Sequence, residues 1–182
     1  MSSVPEIEVV HTSGLDPRRR ADARTLLYDV FDDMTEPDWD HCLGGMHALA
    51  VEDGVVVAHA ALVARRIGHR GHPWRTGYIE GVAVRPDRRG RGLGAAVMDP
   101  LERMIADAYE LGALAATRDG ARFYAARGWT KWTGRTWALT PAGTVRTPDE
   151  DDCVFVRPGS VPLDRLDLDG DLIADWRDDC PW

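Results

Sequence analysis

The stretch Val84-Arg-Pro-Asp-Arg-Arg-Gly-Arg-Gly-Leu-Gly-Ala95 decides how this chain folds. It lies between a strand-like run, Tyr78 to Val84, and an apolar series at helical spacing, Leu93, Val97, Leu101, Met104, Ile105 and Ala108. A glycine-rich turn that feeds a helix lets main-chain N–H groups approach an anion closely, and the helix end adds partial positive charge. Arg85, Arg88, Arg89 and Arg91 add full charges, so phosphate is the natural guest. A Walker loop is excluded because no Gly-Lys-Ser/Thr follows. Gly90-x-Gly92-x-x-Ala95 fits the dinucleotide fingerprint loosely, but there the first glycine follows the strand directly, whereas about five residues intervene here.

Outward from this loop, the periodicities alternate between strand and helix. Residues 6–10 alternate as a half-buried strand, and Asp16-Pro17 supplies a cap and a first helical residue. The helix that follows runs to about Phe31 and buries Ala23, Leu26, Leu27 and Val30. Asp32 to Leu43, acidic and broken by Pro37, reads as a binding loop with one short helical turn. Met46–Glu52 and Val55–Arg66 are strands joined by the hairpin signal Asp53-Gly54. Gly68 to Pro73 reads as a loop, Leu111–Ala116 as a strand, Asp119–Arg127 as a helix closed by Gly128, and Trp129–Leu139 as a strand. Pro100 falls inside the helix after the glycine loop and predicts a kink or a restart. The order predicts a mixed α/β sheet with crossover helices.

Composition bounds the class. With 182 residues, 44% of them hydrophobic and 29% charged, a single domain spanning 1–182 with a real core is expected. No basic run followed by an apolar stretch opens the chain, and no window approaches the ~18 apolar residues of a membrane span, so a soluble cytoplasmic protein is expected. Cys42, Cys153 and Cys180 form no C-x-x-C pair and have no histidine at ligand spacing, which argues against a disulfide framework or a metal site. The net charge of -8 sits in residues 147–182, with 11 acids against 3 arginines. A second acidic tract, Thr25 to Ala64, carries eight acids and no Lys or Arg. The basic knot is short and the net sign wrong for nucleic acid; acidic tracts either draw a cation or are solvated surface.

The segment Arg89-x-x-Gly92-x-Gly94, between a strand and an amphipathic helix, resembles the acetyl-CoA pyrophosphate loop of the GCN5-related N-acetyltransferase (GNAT) superfamily. The resemblance implies an α+β fold around a mixed central sheet with a splayed strand, and acetyl-CoA as acyl donor. Phe123-Tyr-Ala-Ala-Arg-Gly-Trp129 looks like the segment that ends the cofactor fold, where Tyr124 protonates the departing thiolate; the plainer reading of Tyr124 is a core aromatic. Acyl transfer to an amine also needs a base, and Glu80 is the one acid within its strand run, either facing a site or lying on a surface edge. By the two-residue period Tyr78, Glu80, Val82 and Val84 share one face. Gly81 marks a point where the strand can bulge, and N–H groups of Val82 and Val84 freed there could hold the thioester and steady an oxyanion.

Within that superfamily the chain resembles the aminoglycoside 2'-N-acetyltransferases of the mycobacterial kind. Gly44-Gly-Met-His-Ala-Leu49, Gly77 to Arg85, Leu111-Gly-Ala-Leu114, Tyr124 to Trp129, Arg146-Thr-Pro-Asp149, Asp175-Trp-Arg177 and Trp182 carry the resemblance. It implies a polycationic aminoglycoside held by Asp33 (or its neighbour Asp32), Glu80, Gly81, the main chain near Ala115, Asp149, Glu150 and the carboxylate of Trp182, so that segment 147–182 contributes to the acceptor site. It places acetyl-CoA along Val82, Ala83 and Val84 and along Arg89, Gly90, Arg91, Gly92, Leu93 and Gly94. Homodimers are common in the superfamily, though no segment here demands one. An acetyltransferase for a cellular amine and a CoA-binding module without turnover are the rival readings. His47 and His59, in strand runs, read as satisfied core histidines.

Overall fold

A computed structural model describes residues 5–182. The chain forms two compact units, one of residues up to Val63 with Ile79–Arg103, the other of Ala64–Tyr78 with Met104–Trp182.

In the first unit, β1 (Glu6–His11), β2 (Met46–Glu52) and the first part of β3 (Val55–His69) form an antiparallel meander. Asp53 and Gly54 both take positive φ, 49° and 78°, which makes the β2–β3 connection the tight turn that matches strand twist. The helix α1 (Pro17–Val30) starts where predicted: the Asp16 carboxylate accepts from the N–H groups of Arg18 and Arg19 at 2.9 and 3.3 Å, and Pro17 opens the helix. The acidic loop holds more order than one turn, because Thr35 and Asp38 make a reciprocal capping box for α2 (Glu36–His41), with Pro37 in its first turn. Leu26, Leu27, Trp39 and Cys42 pack with Leu49, Val51, Val56 and Ala83 into one core.

In the second unit, the first part of β4 (His72–Val84) runs parallel to β5 (Leu111–Ala115), from Thr76↔Leu111 to Tyr78↔Ala113. α4 (Ala121–Ala126) leads to β6 (Thr130–Lys131), β7 (Thr136–Thr140), β8 (Gly143–Arg146), β9 (Val154–Pro158) and β10 (Leu172–Ala174). β9 pairs antiparallel with both β5 and β6, while β10 runs antiparallel to β3 and parallel to β7. The sheet is therefore mixed, as expected, and one path through it reads β6-β9-β5-β4-β3-β10-β7-β8.

Three expectations change. The predicted Gly68–Pro73 loop shrinks to a two-residue turn, Arg70 and Gly71 at φ 50° and 77°, since β3 continues to His69 and β4 begins at His72. The predicted strand Trp129–Leu139 is broken between β6 and β7. There Thr133 and Gly134 donate to the Leu168 carbonyl, and a Cβ on Gly134 would stand 1.9 Å from the Gly170 oxygen. Finally, of the two outcomes expected at Pro100, a kink or a restart, the restart does not occur: α3 (Leu93–Ala108) spans Pro100 as one helix, in which proline has no N–H to offer the Ala96 carbonyl.

Candidate active site

β4 ends at Val84 and the chain turns through a short 3-10 segment, Pro86–Arg88, into the glycine loop and α3. The Arg85 N–H donates to the Val57 carbonyl at 2.9 Å, which ties the loop's entry to β3. Gly90 and Gly92 take φ 75° and 78°, a region that disfavours side chains, and a Cβ at either would meet nothing within 4 Å. The turn thus needs glycine for its backbone path, and its main chain is open to a guest.

The four arginines of the loop are not equivalent. Arg85 grips Asp87 at 2.6 and 3.0 Å, and Arg88 reaches both Asp87 (2.7 Å) and the buried Glu52 (2.8 Å). Arg91 pairs with Glu52 at 2.8 Å. The hydrogen bond from Arg88 holds the Glu52 carboxyl below its usual range, and that from Arg85 does the same for Asp87. Arg89 is exposed, its side chain touching only the Val84 carbonyl at 3.4 Å, and no carboxylate pairs with it among the described residues.

Upstream on β4, the parallel register with β5 stops at Tyr78, two residues before the half-buried Glu80. Gly81 has φ 55°, so the pleat breaks there and the strict alternation that would align Glu80 with Val82 and Val84 does not carry through. A Cβ on Gly81 would lie 2.8 Å from Cys42 Sγ, 3.2 Å from Leu27 Cδ1 and 3.4 Å from His59 Cε1. The bulge expected from sequence is therefore packed tightly on its inner side.

In the second unit Tyr124 is buried on α4, its ring centroid 5.2 Å from Phe123, 6.3 Å from Trp129 and 6.5 Å from Phe155. A second cluster forms at the turn Pro148–Glu150. Trp182, buried, donates its indole N–H to Thr147 Oγ1 at 3.0 Å. Its main-chain oxygen accepts from Arg177 at 2.7 Å, and Cys180 Sγ lies between that oxygen (3.1 Å) and Glu150 Oε1 (3.9 Å). Burial raises the Glu150 carboxyl above its ordinary value. Asp149, exposed, adjoins it.

The acetyltransferase (GNAT) domain family matches residues 17–132. The chain belongs to the GNAT family. As a GNAT chain it is also 46% identical, over 96% of its own length and 90% of the other's, to an aminoglycoside 2'-N-acetyltransferase from Mycolicibacterium fortuitum. Among solved structures, the GNAT N-acetyltransferase YhbS of Escherichia coli in complex with CoA superposes with a TM-score of 0.64 at 18% identity, covering 93% of this chain and 88% of that one. An acyl-CoA N-acyltransferase from Pseudomonas aeruginosa gives 0.60 at 18% identity, with 85% and 99% covered. Those two likenesses speak for the fold.

The expected site residues of this GNAT chain sort accordingly. Val82, Ala83 and Val84 follow the bulge, and Arg89 to Gly94 form the loop and the first turn of α3. Arg91 is committed to Glu52, which leaves its N–H rather than its guanidinium for an anion. Asp32 and Asp33 are both exposed in the turn ahead of α2, and Ala115 is exposed at the end of β5. The sequence reading missed Glu52, which organises the loop from β2, and Asp151. The Asp151 carboxylate accepts from Arg146 at 2.6 and 3.0 Å and from Thr136 at 2.9 Å, which braces the turn bearing Asp149 and Glu150; Arg146 holds that carboxyl far below its usual range. Among the described residues no group of three His, Cys, Asp or Glu could hold a metal, and no helix is long and apolar enough to cross a membrane.

Proposed function

We propose that this acetyltransferase moves the acetyl group of acetyl-CoA to the 2'-amine of aminoglycosides by direct attack, in the cytoplasm. The observation that carries the acceptor is the 46% identity to an aminoglycoside 2'-N-acetyltransferase, which extends well past the general acetyltransferase match into the acidic segment after residue 132. The donor fits the residues present: an open glycine turn at Gly90 and Gly92, an unpaired Arg89 and the start of a 16-residue helix offer N–H groups and positive charge to a pyrophosphate. When bound, acetyl-CoA supplies the acetyl group as a thioester.

The chain's own residues then divide the work. Glu80, half-buried beside the bulge, takes the proton of the acceptor amine, directly or through a water. Tyr124 donates its hydroxyl proton to the departing sulfur, and the packing of its ring fixes where that hydroxyl stands. Asp33, Asp149, Glu150 and the Trp182 carboxylate are the groups that take ammonium groups of the acceptor, and the main chain at Gly81 and at Ala115 offers it hydrogen bonds.

Release of CoA from acetyl-CoA with tobramycin, which has a 2'-amine, or kanamycin A, which has a 2'-hydroxyl, tests this. Turnover with tobramycin alone is expected. Turnover with neither drug, alongside turnover of a polyamine or a protein N-terminus, would replace the acceptor with a cellular amine.

A further inference from the structure

Beneath the β4 bulge runs a chain of buried hydrogen bonds that the proposed chemistry does not use. His59 Nδ1 lies 2.7 Å from the Gly81 carbonyl oxygen, His59 Nε2 lies 3.0 Å from His47 Nδ1, and His47 Nε2 lies 2.8 Å from Thr12 Oγ1. Thr12 Oγ1 in turn accepts from the Gly44 N–H at 2.9 Å. Both histidines are fully buried, with Trp39 against their rings at 6.4 and 6.2 Å.

The direction of every bond follows from one end. A carbonyl oxygen only accepts, so His59 Nδ1 bears its proton. Burial lowers His59 to about 3 and His47 to about 4, so both rings are neutral near pH 7. His59 Nε2 is then a lone pair that accepts from His47 Nδ1–H, and His47 Nε2 accepts the Thr12 hydroxyl. Four donors thus point one way, from the Gly44 N–H to the Gly81 carbonyl, each polarising the next.

In a trans peptide the C=O of one residue and the N–H of the next point in opposite directions, and there is no cis bond among the described residues. Anchoring the Gly81 oxygen on His59 therefore aims the Val82 N–H away from the buried rings. Gly81 lies within β4 but at φ 55°, away from extended backbone, and carries no side chain of its own, so the bond to His59 constrains a peptide plane that glycine would otherwise leave free to turn.

We propose that His59, held by His47 and Thr12, is a positioning residue that fixes the Gly81–Val82 peptide plane so that the Val82 N–H meets the acetyl carbonyl of acetyl-CoA. The inference rests on the acetyl-transfer reading above, and on its donor half alone. His59 touches neither substrate; it acts through the backbone.

The test compares His59→Leu, which removes the donor to Gly81, with His59→Asn, whose side-chain N–H stands near the place of Nδ1. The infrared carbonyl band of [1-13C]acetyl-CoA bound to each protein is recorded without any acceptor, beside kcat with tobramycin and the Kd of CoA. The wild type is expected to shift the band to lower frequency than free acetyl-CoA. In His59→Leu the shift is lost and kcat falls on the order of 10- to 100-fold, while the Kd of CoA stays within about two-fold because the pyrophosphate loop is untouched. His59→Asn is expected to recover most of the shift. If His59→Leu does not fold, Thr12→Val, which cuts the far end of the chain, is expected to show a partial loss of the shift. An unchanged band in His59→Leu, or in Thr12→Val when that variant must stand in, overturns the proposal. A band that shifts in the wild type without turnover of tobramycin keeps this proposal and removes the aminoglycoside acceptor.

Discussion

Replacing Gly81 with alanine tests the packing of the bulge. Two costs add at this position. An L side chain at φ 55° pays roughly 1 to 2 kcal/mol for the left-handed backbone region. The new methyl also stands 2.8 Å from Cys42 Sγ and 3.2 Å from Leu27 Cδ1. Neither neighbour can swing away, since Cys42 is 1% and Leu27 0% exposed, and overfilling such a site typically costs about 1 to 3 kcal/mol. Together Gly81→Ala should lose about 2 to 5 kcal/mol, which for a chain of this size lowers Tm by very roughly 5 to 15 °C. The origin of the loss is separable. Cys42→Ala alone leaves a small cavity and costs about 1 to 2 kcal/mol, but in the double variant it removes the closest contact, so the two changes should couple favourably by about 1 kcal/mol or more. Urea unfolding of the four proteins with a common m-value reads this cycle. Additive losses, or a neutral Gly81→Ala, would refute the reasoning, because they would mean the methyl finds room elsewhere.

Three further expectations concern charge and chemistry. The imidazoles of His47 and His59 sit below their ordinary value, at about 4 and about 3, so the unfolded chain binds their protons first. Their contribution to stability is complete above about pH 6.5 and is lost as pH falls from there toward the folded values, a few kcal/mol for the pair by about pH 5. Urea midpoints should fall over that range in the wild type and less steeply in His59→Asn; parallel curves would contradict the assignment. Arg89→Ala should raise KM for acetyl-CoA about tenfold with kcat nearly kept, as removal of a charged phosphate contact does, and a fall in kcat alone would move Arg89 out of that role. Tyr124→Phe should lower kcat more than it raises KM, and the reverse pattern in steady-state kinetics would deny it the proton-donor role.

The glycine loop was legible in sequence because its demands are local: positive φ at Gly90 and Gly92 and a helix start follow from residue type alone. The same holds for the Asp16 cap and the Asp53-Gly54 hairpin. Where residue type misled, a tertiary contact decided. Gly68 and Pro73 look like breakers, yet Gly68 lies on β3 under Ile173, whose Cβ is 3.3 Å from where its own would be, and Pro73 sits at the exposed start of β4. Gly134 interrupts a β-rich run for the opposite reason, since the backbone of Gly170 presses on it from a distant part of the chain. β9 and β10 span 5 and 3 residues and owe their pairing to strands far away in sequence, so no local period announces them, while β8, 4 residues long, is a hairpin partner of β7 and too short to show a period of its own. His47 and His59 were recognisable as core histidines, but the direction of their bonds required the carbonyl at Gly81. Glu52 left no signal at all, because its partners lie 36 and 39 residues further on.

That pairing of Glu52 and Asp87 with the loop changes what kind of anion it can tell apart. Three of the loop's four guanidinium groups, those of Arg85, Arg88 and Arg91, pair with two carboxylates, so the loop shows a guest about half the field its arginines suggest. A polyphosphate or a nucleic acid strand, which binds by releasing counterions to dense positive charge, gains little here. Affinity for the proper guest should consequently change less with ionic strength than four arginines would suggest, because recognition falls to the single guanidinium of Arg89 and to N–H groups whose directions are set by the backbone.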